Sequence, residues 1–133
     1  MASFLLPSSL ALLFLFVTAA AALRPTAVKR SLDLKNEAEG PVVDGLAEFA
    51  VEEVNQKRAL DYEKANGQKM PPKDNFLYQK PLSAEVQTLG DTTDSFTIDI
   101  DVLENANTIH GSIQAVLNVG SNGELKLGSW KAN

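Results

Sequence analysis

Apolar and polar residues alternate along the C-terminal half of the chain as they do in half-buried β-strands. The clearest run is SFTIDIDVLE, where Phe96, Ile98, Ile100 and Val102 alternate with polar residues. The run TIHGSIQAVLNV repeats this alternation. FLYQKPLSAEVQTL precedes the pair and ELKLGSW follows it, and Pro81 predicts a sheet edge or a bulge in the first of these. We expect the four runs to form an antiparallel meander.

One segment, PVVDGLAEFAVEEVNQKRALDY, has helical periodicity instead. Pro41 suits a helix start, and the pattern predicts about four turns. We interpret Gly45 as permitting close packing on the sheet. The following stretch, EKANGQKMPPKDN, predicts a long exposed loop. The apolar side of the helical wheel, with Phe49 at its margin, consists of Val42, Val43, Leu46, Ala47, Ala50 and Val54.

The N-terminus has the pattern of a secretory signal, an apolar stretch from Leu10 to Val17 followed by alanines. We expect residues 1–22 to be a signal peptide, residues 23–40 a flexible arm and residues 41–133 one domain. The protein is then secreted, to the extracellular space or to the vacuole, without membrane contact after cleavage. An uncleaved signal anchor is the alternative. Lys29-Arg30 is either a dibasic processing site or a solvated basic pair.

Composition narrows the possible chemistry. The 133 residues include no cysteine, which excludes disulfides and thiolate chemistry, and a net charge of −5 argues against nucleic-acid binding. His110, the only histidine, falls on the exposed side of its strand. Asp99 and Asp101 could share a cation, although a solvated pair is the alternative. We therefore expect no enzymatic activity, no cofactor and no metal.

The helical segment GLAEFAVEEVN resembles the helix signature of plant cystatins, L-A-x-F-A-V-x-E-x-N. These proteins are secreted inhibitors of papain-like cysteine proteases. YQKPLSAEVQTLGD is similar to the second strand of that family and its first inhibitory loop. The resemblance implies an α+β, cystatin-like fold, with one α-helix packed across a bent antiparallel sheet of four to five strands. The signature is matched by Leu46, Ala47, Phe49, Ala50, Val51, Glu53 and Asn55.

The resemblance also implies a protease-binding surface with three parts: an N-terminal glycine segment, a first hairpin loop Q-x-V-x-G and a second hairpin loop with Pro-Trp. In the first loop the glycine comes one place early, and Asp91 occupies its usual position. The turn VGSNGE, which lacks Pro-Trp, corresponds to the second loop and leaves Trp130 in the last strand. An alternative register makes GSWK the second loop. The implied binding residues are Gly40, Gln87, Thr88, Leu89, Gly90, Asp91, Gly120 and Ser121.

The function implied by the resemblance is reversible inhibition of papain-like cysteine proteases by a monomer that occludes the protease cleft. The alternative is a cystatin-fold binding or regulatory protein without inhibitory loops, because a fold does not fix a function. A third interpretation is an ordinary secreted α+β domain whose similarity to cystatins is confined to the helix.

Overall fold

The computed structural model describes residues 29–89, 93–104, 106 and 108–133. The predicted signal peptide, the start of the predicted arm, and Gly90 and Asp91 lie outside these residues. In chain order the elements are β1 (Lys29–Ser31), α1 (Glu39–Asn66), a 3₁₀ helix (Pro72–Asp74), β2 (Leu77–Leu89), β3 (Thr93–Glu104), β4 (Ile109–Val119) and β5 (Leu125–Ala132).

The strands of the described chain form one antiparallel sheet in the order β1-β2-β3-β4-β5, and α1 packs on one face of it. This is the α+β architecture expected from the sequence, and its topology is cystatin-like. The predicted bulge at Pro81 is confirmed, because the register between β2 and β3 shifts on both sides of this residue. Within the described residues, no helix combines the length and the apolar character of a membrane span.

The hydrophobic core lies between α1 and the inner face of the sheet. On β3 and β4, buried positions alternate with half-buried ones as the sequence predicts. All six positions predicted for the apolar side of α1 are buried, Val51 is buried as well, and Phe49 packs against the core. Because burying one large aliphatic side chain contributes about 1.5–3 kcal/mol, this interface is the main source of stability.

The helix is longer at both ends than the sequence predicts. It begins at Glu39 because the side-chain oxygen of Asn36 accepts hydrogen bonds from the backbone N–H groups of Ala38 and Glu39, at 2.7 and 3.0 Å. It ends at Asn66, where Gly67 takes a φ of 70° and its N–H donates to the carbonyl of Glu63 at 2.8 Å. The residues 63–66, predicted to be loop, are therefore helical.

Part of the predicted flexible arm is held against the sheet. In β1, Lys29, Arg30 and Ser31 pair with Gln87, Val86 and Glu85 of β2. The partly exposed side chain of Arg30 forms a 3.0 Å ion pair with Glu39 at the start of α1. The other carboxylate oxygen of Glu39 accepts the N–H of Asp33 at 2.8 Å. One carboxylate thus joins β1 and the following turn to the helix.

Two side chains fasten β2 to α1. Asn55, the last residue of the helix signature, donates to the carbonyl of Phe76 at 2.9 Å and accepts its N–H at 2.8 Å. The hydroxyl of Tyr78 donates to Asp44, and burial, followed by this bond, raises the pKa of Tyr78. Asn55 therefore positions the residue that precedes β2.

The two glycines at the start of α1 have different surroundings from those expected. Gly45 is exposed, and a Cβ added there would meet nothing within 4 Å, so the close-packing interpretation is wrong. At Gly40, in contrast, an added Cβ would lie 2.4 Å from the carbonyl oxygen of Leu34. Gly40 is the residue that permits a close approach of the backbone.

Gly45→Ala should raise the free energy of unfolding by about 0.5–1 kcal/mol, because alanine lowers the entropy cost of the helix and has free space. Urea denaturation measures this difference. Gly40→Ala is the matched control and should lower the same free energy, because its Cβ would overlap the Leu34 carbonyl. Changes of the same sign in both variants would contradict the assignment.

Candidate functional site

The hairpin of β2 and β3 (the first) and the hairpin of β4 and β5 (the second) end on the same side of the molecule. Leu89 pairs with Thr93 across the first hairpin, and Val119 pairs with Leu125 across the second. The two hairpins are neighbours because Asp94 of β3 pairs with Val119 of β4. We call this region the hairpin end; it comprises residues 87–89, 93–94 and 119–124.

The N-terminal strand enters the sheet at the hairpin end. Lys29, its first residue, lies opposite Gln87, while Ser31 lies opposite Glu85. Since β1 and β2 are antiparallel, β1 runs away from the first hairpin toward the start of α1. The sheet register therefore brings the beginning of β1 and both hairpins to one end of the molecule.

The structure brings most of the described candidate residues together. Gln87 and Thr88 are half-buried near the end of β2, and Leu89 ends that strand. Gly120 follows β4, and Ser121 is exposed in the next turn. Gly40 is not part of this arrangement: it lies in the first turn of α1, where its N–H donates to the carbonyl of Asn36 at 2.8 Å.

The turn between β4 and β5 is closed by its own hydrogen bonds. The N–H of Gly120 donates to the carbonyl of Glu124 at 3.0 Å, and the N–H of Gly123 donates to the carbonyl of Gly120 at 2.9 Å. Gly123 has a φ of 80°, which favours glycine, and Asn122 accepts the N–H of Glu124 at 2.9 Å. The second hairpin thus presents small polar side chains on an internally bonded turn.

Trp130 does not belong to this turn. It lies in β5 opposite Ala115, and its ring meets that of Phe76 edge to face with 6.0 Å between the centroids. The guanidinium of Arg58 lies 4.1 Å from the centroid of the same Phe76 ring. The predicted register that completes the sheet is confirmed, and the alternative with GSWK as the second loop is wrong. The tryptophan packs against the core instead.

Asp94 is a residue of the hairpin end that the sequence analysis missed. Its exposed fraction is only 3%, and it is the one buried polar residue among those the structure describes. The hydroxyl of Thr88 donates to one of its carboxylate oxygens at 2.8 Å across the first hairpin. Burial raises the pKa of the Asp94 carboxyl, and the bond from Thr88 opposes this effect. The alternation of β3, extended two residues back from Phe96, would have predicted this inward position.

The polar groups considered for catalysis or metal binding have other partners. His110 is exposed as predicted, and its Nδ1 lies 3.2 Å from Asp101. Asp99 accepts hydrogen bonds from Ser83 at 3.0 Å and Gln114 at 3.2 Å. In the part of the chain that the structure describes, no three histidine or acidic side chains are grouped as metal ligands. Asp99 and Asp101 thus have different hydrogen-bond partners.

Comparisons with known proteins give no match to a family model, to a curated protein or to a solved structure. The likeness to cystatins consequently rests on the helix signature and on the topology of the helix and sheet.

Asn55→Ala should lower the free energy of unfolding by about 1–3 kcal/mol, because it leaves both backbone groups of Phe76 without their side-chain partner. Urea denaturation followed by the fluorescence of Trp130 measures the change. Gln56→Ala, one residue along on the exposed side of α1, is the control and should stay within about 0.5 kcal/mol of the parent chain. Equal effects in the two variants would contradict a fastening role for Asn55.

Proposed function

We propose that this protein is a secreted, reversible inhibitor of papain-like cysteine proteases. The observation that carries the proposal is the convergence of the start of β1 and both hairpins at the hairpin end. The helix signature also supports the proposal, because this signature resembles that of cystatins, which occlude a protease cleft with the same three parts. An inhibitor of this kind needs no nucleophile and no metal, since it binds the cleft without reacting.

The described geometry suits such binding. Pairing in the first hairpin continues to Leu89 and Thr93, and the second turn is closed by the Gly120–Glu124 hydrogen bond. Little conformational entropy remains to be lost at these places when a protein cleft encloses them, so preorganisation favours association. The N-terminal segment, Gln87 to Asp91 and the turn at Gly120 and Ser121 are the proposed contacts.

The second turn sets an expectation for affinity. Interfaces depend strongly on a few large anchors, and loss of an aromatic anchor commonly costs about 2 kcal/mol or more. Here the turn exposes Ser121 and Asn122, and the only tryptophan packs on Phe76. We therefore expect weaker inhibition than a cystatin with Pro-Trp in this loop would give.

The same observation favours a second candidate function, a cystatin-fold protein that binds a partner without inhibiting proteases. Under this alternative the second turn has lost its anchor, and Gly40 serves the packing of the helix start. Titration of papain with the purified chain tests the choice. Measurable competitive inhibition supports the inhibitor, whereas none at high micromolar concentration contradicts it.

Ser121→Trp restores an aromatic side chain at the second turn and should lower the inhibition constant for papain by about thirtyfold, corresponding to about 2 kcal/mol. Replacing Gly120 by proline is avoided because the N–H of Gly120 donates to Glu124. Gln68→Trp is the control. This exposed residue lies in the loop that precedes β2, whereas the hairpin end lies where β2 ends. Equal inhibition constants for both variants would contradict the assignment of the second turn as a protease contact.

A further inference from the structure

The core-facing side of β3 carries one charged residue, Asp94, among apolar ones. Phe96, Ile98, Ile100 and Val102 face the core, and Asp94 continues the same row to the hairpin end. A carboxylate in such a position loses hydration, and its described compensation is the 2.8 Å hydrogen bond from Thr88. Thr88 and Asp94 are paired residues, so this bond crosses the base of the first hairpin.

The inward-facing residues beside Asp94 on the two flanking strands are uncharged. The inward positions beside it are Val86 and Thr88 on β2 and Leu117 and Val119 on β4. The charged groups of the adjoining elements include Lys29 on β1 and Glu85 on β2, both exposed. They also include Arg30 and Glu39, which pair with one another, and Glu124 and Lys126, which lie 3.7 Å apart. Burial raises the pKa of the Asp94 carboxyl, and the hydrogen bond from Thr88 opposes this effect.

We propose that Asp94 is a positioning residue whose protonation tightens the first hairpin and so strengthens protease binding in mildly acidic solution. The inference rests on the proposed function, because the first hairpin is one of the proposed contacts. Its physical basis is a buried carboxylate that opposes the packing of the hairpin base when it is charged. The neutral carboxyl removes that opposition and can keep a hydrogen bond with Thr88.

The direction of the pH effect follows from linkage. Burial raises the pKa of Asp94 in the folded protein above the ordinary value of 3.8, so the folded chain binds the proton more tightly than the unfolded chain does. Protonation therefore adds stability as the pH falls from neutral through the raised pKa toward the ordinary one. Above the raised pKa this added stability is absent.

The test compares the purified parent chain with Asp94→Asn, in which a neutral amide of similar shape replaces the carboxylate. Inhibition constants for papain are measured for both chains between about pH 7 and about pH 4, the range above the ordinary aspartate pKa. At each pH, the ratio of the two inhibition constants cancels the pH dependence of the protease itself. We expect the parent chain to inhibit less well than the variant at neutral pH. The ratio should then approach one at the acid end.

Two further variants distinguish positioning from a general effect of charge. Asp99→Asn removes a carboxylate from the outer side of the same strand, where Ser83 and Gln114 are its partners, and its ratio to the parent chain should be independent of pH. Thr88→Val removes the hydroxyl donor and should make inhibition by the chain depend more steeply on pH. It also provides a second test of the proposal if Asp94→Asn does not fold.

Carbon-13 NMR of the Asp94 carboxyl and urea denaturation provide readouts that are independent of the protease. If Asp94 titrates while the inhibition ratio stays constant, the proposal is overturned. If neither chain inhibits at any pH, the proposed function fails, but the stability difference between the parent chain and Asp94→Asn must still shrink as the pH falls. A stability difference that is constant with pH would overturn the role of Asp94 itself.

Discussion

Burial of the apolar side of α1 against the inner face of the sheet is the interaction on which the other features depend. The sequence contains no cysteine, so no disulfide fixes the register of the sheet. The inward alternation fixes it instead, because a slip of one residue would turn Phe96, Ile98 and Ile100 toward solvent. Asn55 and Glu39 then attach β2 and the turn after β1 to the helix by hydrogen bonds and an ion pair.

The hairpin end is a consequence of that register. Once Phe96 pairs with Leu117 in the core, Asp94 must pair with Val119, and the turns beyond β2 and β4 leave the sheet side by side. The pairing of Lys29 with Gln87 adds the start of β1 to the same end. The relative placement of the candidate contacts therefore derives from core packing, while the residues within the turns decide which partner can bind.

The sequence predicts what local periodicity controls and misses what distant partners control. The alternation of apolar and polar residues predicts β3 and β4. Asn66-Gly67 predicts an end of regular structure, and in the structure α1 ends there. The strand β1 consists of only three residues, all of them polar. Its position depends on distant partners such as Gln87 and Glu39, and no local sequence pattern predicts those contacts. For the same reason the sequence suggests close packing at Gly45, whereas only the tertiary structure shows that Gly40 is the glycine that meets the Leu34 carbonyl.

The location of Trp130 constrains how the proposed inhibitor would bind. Its contact with Phe76 stabilises the junction of β5 with the loop before β2, so this tryptophan cannot also serve as an anchor in the turn between β4 and β5. Binding at the hairpin end must then rely on backbone shape and small side chains, whose contribution depends on how well the hairpins are ordered beforehand. The charge state of the buried Asp94 carboxyl changes how well the first hairpin is ordered. Its effect on affinity should therefore be larger here than in an inhibitor with a strong aromatic anchor.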